Sequence, residues 1–392
     1  MKNYYFLLLA LFALVSCENG GERTLVVENS SAIDRVKEII EVEINNPDDY
    51  VVIAPCGKAI QTQTTYNKKS LIFPATVPAS SKVTYKLRKA ERPEIDTLAI
   101  GKVYENRKND LAWESDKIGY RVYSKIAGEN GDLFYGYDVF TKRGKVPVLE
   151  HLYTIENDPH DRALALELRK TNPKASQTLY DAISYHIDHG QGMDYYVVGP
   201  TLGCGTAALL DNGNILYPGY YDSYEILDQG GLRFSFRIKF DPVKIGNDMV
   251  TEVRTITLDA GSHFNYIEVE YQGLTAPRDI VAGIVIHDEA ESKSIGEGYM
   301  SYAEPVHIFG WQTYCSVIFP DDMKAGIEKF DTPKGIAQGH ILAKGQYTPN
   351  TPFTYYMGAG WNRWGFTSAD EWFDYVALQQ QKLTKPLNYT LR

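Results

Sequence analysis

The chain has 392 residues, with 40 Lys and Arg against 50 Asp and Glu, for a formal net charge of -10. That balance argues against nucleic acid as a partner, because phosphates demand a basic face. It leaves room for an acidic sugar, since one local Arg or Lys binds a carboxylate inside an acidic protein.

Met1-Lys2-Asn3 is a short basic start, residues 6–15 are almost wholly apolar, and Ser16-Cys17 follows. The run falls short of the roughly 20 residues that span a bilayer, and the pattern is that of a secretory signal. Leu14-Val15-Ser16-Cys17 resembles a bacterial lipobox. Residues 1–16 are therefore expected to be a signal peptide, Cys17 the lipidated residue, and 17–29 the lipidated start and a polar tether. The chain is expected to be a membrane-anchored lipoprotein, in the periplasm or at the cell surface. With Cys17 lipidated, Cys56, Cys204 and Cys315 remain, so at least one is free, and their spacing suggests no disulfide framework.

Residues 30–392 read as one large β-sandwich domain with few helices. Residues 36–44, 50–54, 70–74 and 80–87 form an opening β segment, either a small separate sheet or the first strands of the main one. Residues 233–240 and 264–271 alternate polar and apolar strictly, the mark of half-buried antiparallel strands. Residues 255–258 and 279–286 are further strands. Asp211-Asn212-Gly213, Gln229-Gly230-Gly231 and Asp259-Ala260-Gly261 are turns between them. The best helix runs over 368–382, with Ser368 as N-cap and Glu371 three residues on. Many strands and little helix argue a sandwich. The 29 Tyr and 5 Trp suit both sheets and sugar-binding clefts.

Three polar clusters are candidates for chemistry. The densest is Tyr185-His186-Ile187-Asp188-His189-Gly190-Gln191-Gly192-Met193-Asp194-Tyr195-Tyr196, where glycines let the backbone bend toward a ligand. His186 and His189 also have the spacing of a metal pair that Asp188 or Asp194 can complete, although no cofactor is expected. A second cluster holds Trp113, Glu114 and Arg121; the guanidinium suits a two-pronged bond to a carboxylate. A third is Gly358-Ala359-Gly360-Trp361-Asn362-Arg363-Trp364-Gly365, read as a cleft wall that stacks on a sugar and holds its acid group. His287 closes a strand and joins a site only where the fold brings it to one. No phosphate loop, nucleophile elbow or His-Glu-x-x-His helix is present in the sequence.

Residues 94–103, 107–121, 185–205 and 358–361 resemble the DUF4861 family of Bacteroidetes polysaccharide-utilisation systems. The resemblance runs from about residue 35 to the C-terminus. It implies a large β-sandwich of the galactose-mutarotase type, a supersandwich. It also implies an oligosaccharide dehydratase like the one in ulvan degradation, which removes water from a non-reducing-end uronic acid and leaves a 4,5-unsaturated sugar. That chemistry needs a neutralised carboxylate, a base for H5 and an acid for O4. Arg121 or Arg363 suits the first need. His186 or His189 is the expected base, and Tyr195 or Glu114 the expected acid. Trp113, Tyr196, His287 and Trp361 are expected to bind substrate. The expected partner is an oligosaccharide containing uronic acid. Two rival readings are a glycoside hydrolase on the same glycans and a glycan-binding lipoprotein without turnover.

Overall fold

The computed structural model describes residues 22–392 apart from Asn130 and Asp132. Cys17 and the expected signal peptide lie outside the described residues.

Period-2 patterning builds most of the molecule. Arg233–Phe240 places Phe234, Phe236, Ile238 and Phe240 inside. It pairs with Tyr221–Gln229 on one side and Asp248–Asp259 on the other. That sheet continues antiparallel through Phe264–Gln272, Phe353–Trp361, Thr313–Ile318, Tyr299–Ala303 and Lys293–Gly296, and Val243–Ile245 adds a ninth strand. Against it pack two five-stranded antiparallel sheets. One is centred on Cys204–Asp211, Arg278–Ile286 and Ala337–Tyr347. The other is made from Ile100–Tyr104, Asp110–Glu114, Gly119–Val122, Asp138–Lys142 and Gly192–Asp194. Residues of all three sheets, such as Trp113, Phe236, Ile256, Ala282 and Met357, share one hydrophobic core. The chain is therefore mainly β and a large antiparallel sandwich, as the alternation predicts.

The opening β segment makes two sheets around a core of its own, which includes Leu25, Val42, Phe73 and Tyr85. Arg23–Asn29 is a strand of this unit, although residues 17–29 read as a tether. Its Leu25 and Val27 are fully buried, and Asn388–Leu391 from the far end of the chain pairs along its free edge. Tethers leave no such alternating buried face; the pattern was present in Leu25-Val26-Val27 but short.

Helices are few, and three of them were not singled out from the sequence. Leu149–Glu156, Pro159–Thr171 and Pro173–Ile183 form a helical insert between strands. Asp158 and Asn172 cap the latter two, each followed by a proline at the first helical position. The C-terminal helix is Ala369–Thr384, and the Ser368 hydroxyl accepts from the Glu371 N–H. The Glu371 carboxylate turns back to the Thr367 N–H at 2.7 Å, one residue short of a reciprocal capping box.

This last helix is fastened by Trp372. Its ring is fully buried, lies parallel to Phe264, and donates from Nε1 to the Ser316 hydroxyl at 2.7 Å. Trp372→Ala should destabilise the protein by about 3–5 kcal/mol, read by denaturant unfolding. Trp372→Phe should cost less, since it keeps the packing and loses only the donor.

Candidate active site at the strand ends

Strands from all three sheets of the sandwich stop at one place, and polar side chains follow each stop. Tyr195 and Tyr196 come directly after Gly192–Asp194, and Arg143 after Asp138–Lys142. His287 follows Arg278–Ile286, Glu304 follows Tyr299–Ala303, and Trp361 ends Phe353–Trp361.

His287 and Glu304 form the centre. Their side chains meet Nδ1 to Oε2 at 2.7 Å, with both residues buried. A carboxylate only accepts, so Nδ1 carries a proton, and in the neutral imidazole the lone pair is then on Nε2. Nε2 and the second carboxylate oxygen are shielded and have no protein partner. Burial pushes the Glu304 carboxyl above its ordinary value, and His287 partly opposes that. The Tyr196 ring stands edge-on to His287 at 6.0 Å, and its buried hydroxyl lies against the Cys315 thiol, a weak partner at best. Burial raises the Tyr196 hydroxyl well above the ordinary tyrosine range, so it stays a proton donor. Tyr195 shares a 2.6 Å bond with the Thr313 hydroxyl, and burial raises its titration too. The Trp361 Nε1 is buried and points toward Tyr195 without a well-formed hydrogen bond. Unsatisfied buried polar atoms are rare in folded proteins. Four lie in this one neighbourhood, His287 Nε2, Glu304 Oε1, Tyr196 Oη and Trp361 Nε1.

Arg143 was not singled out by sequence. Its guanidinium lies 5.3 Å over the Trp361 ring and is held by Asp188 at 2.7 Å, with Nε unpartnered. The Asp188 carboxylate also accepts from the Gly190 and Gly192 N–H groups at 2.8 and 3.0 Å. Those two glycines have positive φ. The glycine-rich loop thus shapes itself around Asp188, and Asp188 aims Arg143.

The remaining expected residues lie elsewhere. His186 and His189 are exposed on the flank of the same loop, their ring nitrogens against the carbonyls of Asp194 and Ser184. Arg363 is exposed and donates to the Phe309 carbonyl at 3.0 Å. Trp113 is inside the core, donating to Asn265 at 2.7 Å. Glu114 is buried against the Lys142 ammonium at 2.6 Å and accepts from the Val148 and Leu149 N–H groups, capping a helix of the insert. Arg121 is buried among Asp138, Asp194 at 2.7 Å and Asp110 at 3.7 Å. In this fold Trp113, Glu114 and Arg121 face inward, and their bonding is spent on protein groups. Cys56, Cys204 and Cys315 are all free thiols, the last two buried. Among the described residues, three ligand-bearing side chains converge within 4.8 Å at Asp158, His160 and Asp161. Asp158 there is occupied as a helix cap.

Residues 27–388 match the family described as "Domain of unknown function (DUF4861)", and the chain belongs to it. It is 21% identical over 416 residues to "Uncharacterized protein P7" of Formosa agariphila, covering 99% of this chain and 98% of that one. Among solved structures it is similar to a glycosyl hydrolase family 38 protein from Enterococcus faecalis, with a TM-score of 0.51 and 10% identity. That match covers 95% of this chain and 47% of the other, so this chain spans about half the length of that protein. The likeness is one of fold.

The buried charge under the site sets a pH dependence. Burial lifts Asp110 from its ordinary 3.8 to about 6, with Arg121 and Arg107 pulling the other way. The folded chain therefore holds this proton to higher pH than the unfolded chain. Between those two values the native state binds more protons, so this group's contribution to stability falls as pH rises. Asp110→Asn should make the slope of Tm against pH in that window less negative than in the wild type. An unchanged slope would show that Asp110 titrates as it does in the unfolded chain.

Proposed function

We propose that this protein is a carbohydrate-active enzyme, a carbon–oxygen lyase of the dehydratase type. Its substrate is a non-reducing-end uronic acid of an oligosaccharide, and its product is the 4,5-unsaturated uronate. The observation that carries the reading is the buried His287–Glu304 pair, with Nε2 of His287 unpartnered and the Tyr196 ring 6.0 Å away. Base and acid stand ready in complementary protonation states.

Arg143 and the Trp361 Nε1 receive the carboxylate, which lowers the cost of a carbanion at C5. His287 Nε2 takes H5, and Glu304 steadies the imidazolium that forms. The C4–O4 bond breaks as Tyr196 gives its proton to O4, and water leaves. The electrons of the C5–H bond become the C4–C5 double bond. The proton on His287 then returns to the Tyr196 oxygen. Base and acid thus fall to His287 and Tyr196 instead of His186, His189 and Glu114, because His186 and His189 are exposed against backbone carbonyls and Glu114 is bound to Lys142 and a helix start. Tyr195 keeps a role through its bond to Thr313. Cys17 is proposed to hold the enzyme at a membrane, where oligosaccharides are met before they diffuse away.

Elimination creates an acid conjugated with a double bond, which absorbs in the ultraviolet. The wild type should generate that absorbance from a glucuronate-terminated oligosaccharide. His287→Ala should lower the rate by about 10²–10⁴-fold, with Tm kept as a check on folding. Arg143→Ala should chiefly raise KM. An undiminished rate in His287→Ala would sink the site; new reducing ends without the chromophore would instead mean hydrolysis.

A further inference from the structure

Residues 305–312 form the outer side of the site, and they expose apolar surface that the fold does not need. Ile308 is 88% exposed, Phe309 63% and Val306 56%. The segment is nevertheless braced. The His307 N–H donates to the Trp311 carbonyl at 2.8 Å, and the Gly310 N–H to the His307 carbonyl at 2.7 Å, closing a tight turn. Asn362 ties it down twice, donating to the Gly310 carbonyl and accepting from the Gln312 N–H, each at 2.9 Å. Arg363 adds its bond to the Phe309 carbonyl. Backbone held this firmly while side chains face water is a platform, not a loose end.

Its rings are arranged for stacking. His307 lies parallel on Trp311, centroids 4.8 Å apart and planes 9° apart. Phe309 abuts both, at 5.3 and 5.2 Å. The pair reaches Tyr195 of the reactive site at 6.2 and 6.1 Å. On its inner side Tyr196 meets the core residues Cys204 and Cys315, both buried. A sugar chain bound at Tyr195 and Tyr196 therefore extends away from these core residues, past the platform. The C–H face of a pyranose ring suits flat aromatic surface, and the Gln312 and Arg363 side chains lie at its edge for hydroxyls.

We propose that His307, Phe309 and Trp311 form a binding subsite for the sugar joined to the reactive uronate, so that the ligand is an oligosaccharide and not a free uronic acid. This rests on the proposed function for which ring lies in the enclosure. The order of the two sugars follows from the buried core residues on the inner side of Tyr196.

The test is calorimetric binding to the full chain carrying His287→Ala, so that nothing turns over, with methyl glucuronide and a glucuronate-terminated disaccharide as probes. The disaccharide should bind roughly tenfold more tightly than the monosaccharide. Adding Phe309→Ala, a change at an exposed ring that the core does not feel, should remove most of that gain and leave methyl glucuronide unaffected. Trp311→Ala should do the same. Equal affinity for the two probes, no binding of the disaccharide, or a gain that survives both changes would overturn the subsite. So would phosphatidylglycerol-vesicle binding that needs Phe309 while disaccharide binding does not. Failure of the reaction reads differently: no dehydration by the unsubstituted protein, with a disaccharide gain that still depends on Phe309, leaves the subsite standing.

Discussion

Arg121 carries a full charge to a place that water does not reach, and three carboxylates meet it there. Asp138, Asp194 and Asp110 come from three different strands, and Tyr123 also bonds to Asp138. Removing Arg121 from such a group costs about 3–5 kcal/mol, because the carboxylates are then left buried without their cation. The network therefore fixes the register of its sheet. Asp194 is the residue directly before Tyr195 and Tyr196, so the bond from Arg121 to Asp194 also sets where those two tyrosines leave the sheet. A second buried pair, Lys142 with Glu114, stands directly before Arg143 and at the head of the helical insert. The site is placed by charges that lie beneath it and take no part in its chemistry.

The nine-stranded sheet supplies the other half. Its Phe353–Trp361 strand runs between Phe264–Gln272 and Thr313–Ile318, deep in the sheet, and ends in Trp361. Thr313 opens the neighbouring strand opposite Trp361 and bonds to Tyr195. Side chains that follow the ends of long, fully paired strands inherit the rigidity of the shared core. That is the footing an elimination needs, because base, acid and carboxylate anchor must be held at fixed distances around one ring.

Much of the fold was legible, and for a simple reason. Alternation is written locally, so Arg233–Phe240 and Phe264–Gln272 could be read nearly to the residue. The helical insert was also written locally, in Asp158-Pro159 and Asn172-Pro173, two cap-and-proline signals that the reading passed over. The site divides differently. Tyr195, Tyr196 and Trp361 stand in dense motifs and were found. Arg143, Glu304 and Trp311 were not, since nothing in their spacing along the chain brings them together; sheet topology does. His287 was named only as conditional on the fold, and the fold supplied the condition. Trp113, Glu114 and Arg121 show the converse. A charged and aromatic motif looks the same whether it lines a cleft or is folded inward, and only the pairing of strands decides.

The account stands on one chemical event at His287 and Tyr196, the loss of water from a terminal uronate with the glycan otherwise intact. Mass spectrometry of a glucuronate-terminated oligosaccharide after incubation with the protein tests that most directly. The predicted product is a single species lighter than the substrate by one water. Two smaller sugars, or an unchanged substrate, would contradict it.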